Sequence, residues 1–115
     1  MAIANDIIRK QGDTYPIEVS ILKENGAPLD LNEAVEFVLG VAATETVVAP
    51  AEPDLLLGGA ATSELGGKVT FHLTAEQADS LMPGEYFAEI QFEQNGFIIT
   101  TETFRYTVRG QIIGS

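Results

Sequence analysis

Catalysis by side chains needs a nucleophile, a base or a set of metal ligands held together, and this chain of 115 residues offers few such groups. Its one histidine, His72, lies in GKVTFHLT, where Val69, Phe71 and Leu73 alternate with Lys68, Thr70 and His72. That period of two puts His72 on the solvent side of a strand, with no nucleophile or orienting group indicated beside it. There is no cysteine, which excludes disulfides, thiol catalysis and Cys-ligated zinc. One histidine without cysteine leaves no donor set for a transition-metal site. Glu85, Glu89 and Glu93 recur every four residues, a spacing that on a strand gives one charged solvent face. Paired catalytic carboxylates would have to converge from elsewhere. No Asp/Gly spacing of a calcium loop occurs. Gly58-Gly59 and Gly66-Gly67 lack the lysine and following helix of a phosphate loop and read as turn glycines. Gly12-Asp13-Thr14 reads as an Asx-type turn, with Asp13 or Thr14 bonding nearby amides. No catalytic residue, metal ligand, cofactor or small-molecule substrate is therefore expected, and the chain is not read as an enzyme.

Charge narrows the partners. Seventeen acids against six bases give a net charge of −11. Only Arg9 and Lys10 are adjacent bases, so the clustered cations of a nucleic-acid surface are missing. An anionic membrane is disfavoured on the same ground. MAIANDIIRKQGD has no long apolar run behind a basic start, so it does not read as a secretory signal, and no run approaches a membrane span. The chain is expected to be made in a cytoplasm.

The elements that would position any surface are mostly strands. A hydrophobic share of 45% supports a packed core, and the length suits one domain. Tyr15, Ile17, Val19 and Ile21 alternate with Pro16, Glu18 and Ser20 to predict a first strand, and Asn25-Gly26 with Pro28 predicts a turn. Leu29 and Leu31 read as core plugs in an extended stretch. Val35, Phe37, Leu39 and Val41 predict a second strand, whose outer positions Val38 and Gly40 are too apolar for a face left in water. Thr74 and Gln77 fit a capping box, which predicts a short helix near 75–82 with Ala78, Leu81 and Met82 on its apolar side, stopped by Pro83-Gly84. Tyr86, Ala88, Ile90 and Phe92 then alternate up to Asn95-Gly96, a type I′ hairpin signal. On the return, Ile99 and Thr101 have inward parity but Phe104, Tyr106 and Val108 have the other, so a bulge near 101–103 is expected. About seven strands with regular turns and one helix predict an all-β, immunoglobulin-like antiparallel sandwich.

Residues 12–109 are taken as the sandwich and 110–115 as a tail. Residues 1–11 form either an arm or a first strand. Residues 44–67 are taken as an irregular loop with one short strand near DLLLG. Val47, Val48, Leu55, Leu56 and Leu57 are too many apolar residues for a solvated loop: either they pack on the sandwich or they meet a partner. In the arm, Ile3, Ile7 and Ile8 could dock on a neighbour or add a strand to its sheet. These eight residues are the candidate partner contacts.

The succession RKQGDTYPIEVSILKENGAPLDLNEAVEFVL, then GKVTFHLTAEQADSLMPGEYFAEIQFE, then TETFRYTV resembles the immunoglobulin-like N-terminal domain of phage baseplate upper proteins. The likeness runs over most of residues 9–109 and lapses in 44–67. It implies a non-catalytic virion building block of a tail, baseplate or head-attached adaptor or decoration. Such a protein would bind other phage virion proteins and form a homo-oligomer in the assembly. The alternative is a carbohydrate- or host-surface-binding module of a phage fibre. That reading calls for exposed aromatics, and only Phe87 and Phe97 have outward parity.

Overall fold

The structure is a computed structural model that describes residues 1–44 and 53–112. Nine strands and one helix follow in order: β1 (Ala2–Ile3), β2 (Ile7–Lys10), β3 (Ile17–Leu22), β4 (Val35–Ala42), β5 (Leu55–Ser63), β6 (Lys68–Phe71), α1 (Ala75–Asp79), β7 (Gly84–Gln94), β8 (Phe97–Thr100) and β9 (Phe104–Arg109). Hydrogen-bonded neighbours run β1-β3-β6-β5-β4-β7-β9-β2, and β8 pairs with β7. The two ends of that path, β1 and β2, are separated in the chain by residues 4–6 alone. The sheet must therefore curl round on itself, and its inner side becomes the core.

The all-β sandwich-like class expected from the alternation is the class observed, with two corrections. The described residues form nine strands rather than about seven. The pairing is also not purely antiparallel, because β2 runs parallel to β9 with Ile7 opposite Tyr106 and Lys10 opposite Arg109. The physical reason is the crossing of residues 4–6, which carries the chain from the β3 edge to the β9 edge without reversing it.

Alternation drives burial along the strands. Ile17, Val19, Ile21, Leu39, Val41, Val69, Phe71, Ile90 and Phe92 are all buried, and the rings of Phe37 and Phe92 stack with centroids 5.2 Å apart. Leu31 is buried outright, while Leu29 packs on the core edge. Two expected inward residues are outside. Tyr15 is exposed because the strand begins only at Ile17. Val35 is exposed because a bulge lies between it and Val38, with Glu36 at φ 58, and this turns Val35 to the outer face.

The stretch taken as irregular holds β5, a nine-residue strand paired with both β4 and β6. Gly58-Gly59 is therefore inside a strand and is not a turn. A Cβ on Gly59 would come within 2.5 Å of the Phe71 ring and 2.7 Å of the Thr70 carbonyl oxygen. The strand approaches β6 so closely there that only glycine fits.

The helix is shorter than expected. Gln77 N–H donates to Thr74 Oγ1 at 3.1 Å and Thr74 N–H donates to Gln77 Oε1 at 2.8 Å, so the capping box is formed. The helix stops at Asp79 with Ser80 as C-cap; Leu81 is buried, but Met82 points to solvent. The next turn follows the sequence: Asn95 (φ 53) and Gly96 (φ 82) both have positive φ, as type I′ requires. The phase change on the return is also present. Between the pairs Gln91–Thr100 and Ala88–Phe104, three steps on β7 face four on the other strand. Thr101 fills the gap: its N–H donates to the Ile90 carbonyl at 2.9 Å, and its buried Oγ1 accepts from Ile90 N–H at 3.0 Å.

Candidate protein-contact surface

Among the described residues, the groups able to ligate a metal do not converge. His72 lies just past the end of β6 and is exposed. Among the described residues no cluster of three or more His, Asp or Glu side chains could hold a metal ion, and no helix is long and apolar enough to cross a membrane. Glu85 faces Arg105 Nη1 at 3.4 Å, while Glu89 and Glu93 follow on the same outer side of β7.

One cleft of about 350 Å³ lies along the seam of the curled sheet, lined by residues 4–9 of the β1–β2 segment and 15–20 of β3 and its approach. Arg9 closes its floor. This arginine is buried; its Nη2 donates to the carbonyls of Asp13 at 3.0 Å and Tyr15 at 2.6 Å, and its guanidinium lies 4.0 Å from the Tyr15 ring centre. Those bonds and the ring contact hold the guanidinium within its own loop, so Arg9 here is a structural clamp. Asp13 turns its carboxylate toward Gln111, whose Nε2 donates at 2.8 Å, rather than toward nearby amides. Sequence reading passed over Arg9. The residue types of IIRK carry no mark of it: in the structure burial alternates, with Ile7 and Arg9 inside and Ile8 and Lys10 outside. Arg9 also sits near Tyr106. Burial raises the pKa of that phenol above its ordinary value, and the Arg9 charge partly opposes the rise.

The eight candidate contacts separate by position. Ile7, Leu55 and Leu57 belong to the core of the single chain, and Ile3 packs against it half-buried. Ile8 and Leu56 are exposed, at 57% and 54%. Val47 and Val48 lie outside the described residues. Alternation explains the split: Leu55 and Leu57 share one face of β5 and Leu56 has the other. Leu56 stands opposite Gly40, and Val38, the outer residue already too apolar for water, stands opposite Gly58. On the neighbouring strands Val38 faces Gln91 and Gly40 faces Glu89. Glu93 pairs with Val35 on one side and Ile98 on the other. The outer side of β5, β4, β7 and β8 is thus one continuous face to which Leu56, Val38, Val35 and Ile98 contribute exposed apolar side chains. Val35 and Ile98 were not among the candidates. The hidden bulge masked the first. The second follows from the inward parity of Ile99. Of the two aromatics expected outward, Phe97 is exposed although it shares the parity of Ile99, and Phe87 is half-buried beneath Arg105, whose guanidinium carbon is 5.8 Å from the ring centre.

Fold and surface together describe an all-β, sandwich-like domain with an exposed apolar sheet face. Among solved structures, the chain is similar to the N-terminal domain of phage TP901-1 ORF48, with a TM-score of 0.62 and 17% identity over 91% of this chain and 85% of that one. It is also similar to CopC from Methylosinus trichosporium OB3b, with a TM-score of 0.52 and 8% identity over 99% and 98% of the two chains. At these identities the likeness is one of fold. No protein-family model matches the chain, and no curated protein matches it.

Proposed function

We propose that this chain is a non-catalytic structural component of a bacteriophage particle, acting through protein–protein assembly in the tail, baseplate or a head-attached adaptor or decoration. The observation that carries the reading is the shared fold with a phage protein's N-terminal domain over nearly the whole chain. The GDT strand, the PLDL element and the GKVTFHLT–PGEY block support it through their resemblance to baseplate upper proteins. An exposed apolar sheet face is the kind of surface that assembly uses.

Mass spectrometry of gradient-purified particles of the encoding phage tests the proposal. The chain should co-sediment with particles in a fixed ratio to the major structural proteins and resist a high-salt wash as a component, not a contaminant. Its absence from particles that are otherwise complete would reject the reading.

A further inference from the structure

Sheet faces left in water ordinarily carry polar side chains in alternation with the buried set. The outer face of β5, β4, β7 and β8 departs from that rule at its centre. Leu56 (54% exposed), Val38 (37%), Val35 (52%) and Ile98 (72%) stand out across adjacent strands. Gly40 and Gly58 lie between them, so the middle of the face is shallow, and Leu56 Cδ2 leans to within 3.6 Å of where a Gly40 side chain would begin. The charges interleaved with these residues have one sign. Glu89 sits beside Gly40, and Glu93 lies between Val35 and Ile98. On the adjoining strand β9, Arg105 stands opposite Phe87 and is engaged by Glu85 at 3.4 Å, while Arg109 lies past the Gly84–Val108 pair at the far end of the ladder.

We infer that this face docks a partner protein through an extended apolar surface flanked by lysine or arginine side chains. The inference rests on the assembly reading for the existence of a protein partner, and names the surface and chemistry that reading leaves open. Apolar area supplies the attraction, and the two carboxylates select a cationic partner and steer it. A second copy of the chain is the wrong occupant. Two-fold pairing through this face would bring together two surfaces that each carry Glu89 and Glu93, on chains of net charge −11. The surface is distinct from the β2–β3 cleft, which lies at the seam of the sheet and whose arginine is bonded to the Asp13 and Tyr15 carbonyls.

Two synthetic eight-residue peptides probe the face, one alternating Val and Lys, the other alternating Val and Glu. Each is titrated into the isotope-labelled full chain and followed by amide chemical shifts. The Val-Lys peptide should produce saturable shifts centred on residues 38–40, 56–58, 89–93 and 98, and the Val-Glu peptide none. Glu89→Gln with Glu93→Gln should weaken Val-Lys binding roughly two- to fivefold per charge. Leu56→Ser with Val38→Ser should weaken it about tenfold or more. The charge variants remove no packed group, so they keep the test sound if the serine variants fail to fold. Equal binding of the two peptides, shifts centred on the cleft, or no saturable shift at millimolar peptide would each overturn the inference. So would peptide-free self-association through the same amides, which would make a second copy the occupant. Absence of the chain from phage particles sinks the virion reading and leaves the peptide titration intact, so the two failures are distinguishable.

Discussion

Thr101 shows how one hydroxyl can hold a change of register. The β7 ladder passes from β8 to β9 at this residue, and Ile90 would lose an acceptor there without Thr101 Oγ1 at 3.0 Å. Thr101→Val keeps the shape and removes the acceptor, leaving a buried N–H without a partner. Urea unfolding should show a loss of about 1–3 kcal/mol, and an unchanged midpoint would mean that the ladder re-forms without the hydroxyl. Tyr106 gives a second test. Its folded pKa is raised, chiefly by burial, so the folded state holds the phenolic proton more tightly than the unfolded state does. The associated stability is complete below the unfolded value of about 10. It is lost as pH rises through the higher folded value. Wild-type stability should therefore decline above pH 10, and Tyr106→Phe should flatten that decline; equal slopes in both proteins would exclude Tyr106 as its source.

At the scale of elements, the hairpin of β7 and β8 depends on its turn. Asn95 and Gly96 both take positive φ, and a β-branched side chain at the second position is strained there. Gly96→Val should lower stability by about 1–2 kcal/mol in thermal melts, whereas Gly96→Asn should largely restore it. This turn was fully legible in the sequence, as was the capping box of α1, because each is a local matter of a few residues and their hydrogen bonds. The core faces of β3, β6 and β7 were legible for the same kind of reason, since alternation is written directly in residue type. What could not be read were the features that residue type does not mark, whether made by a neighbouring strand, a folded-back loop or an unusual backbone angle. Gly58-Gly59 looks like a turn until β6 is seen lying against it. The burial of Arg9 becomes sensible only with the Asp13 and Tyr15 carbonyls around it. The outward turn of Val35 needs the bulge at Glu36, an acidic residue with no local mark of left-handed backbone. The exposed apolar face was half visible. Val38 and Gly40 announced an unusual outer surface, but its continuation to Leu56 and Ile98 depends on strand order, which pattern alone does not determine.

For the whole molecule, charge and topology set the behaviour. A net charge of −11 on a domain this small means mutual repulsion in the folded state, with just two ion pairs, both exposed, among the described residues. Moderate salt screens that repulsion. The melting temperature should rise between roughly 10 and 150 mM sodium chloride, over which the screening length falls from about 30 to about 8 Å. A melting point that falls or stays constant would show that specific attractions among charges outweigh the net repulsion.

The parallel pairing of β2 with β9 has a mechanical consequence. β2 leaves the ladder toward the start of the chain at Ile7, and β9 leaves it toward the end at Arg109. Tension applied between the two ends therefore drags the strands in opposite directions along their length. The four residue pairs from Ile7–Tyr106 to Lys10–Arg109 share the load together instead of parting one after another. In single-molecule stretching the domain should resist an end-to-end pull with a higher rupture force than one applied across the β7–β8 hairpin, whose antiparallel ladder opens like a zip from its free side. A unit built this way can transmit load along a larger structure without coming apart.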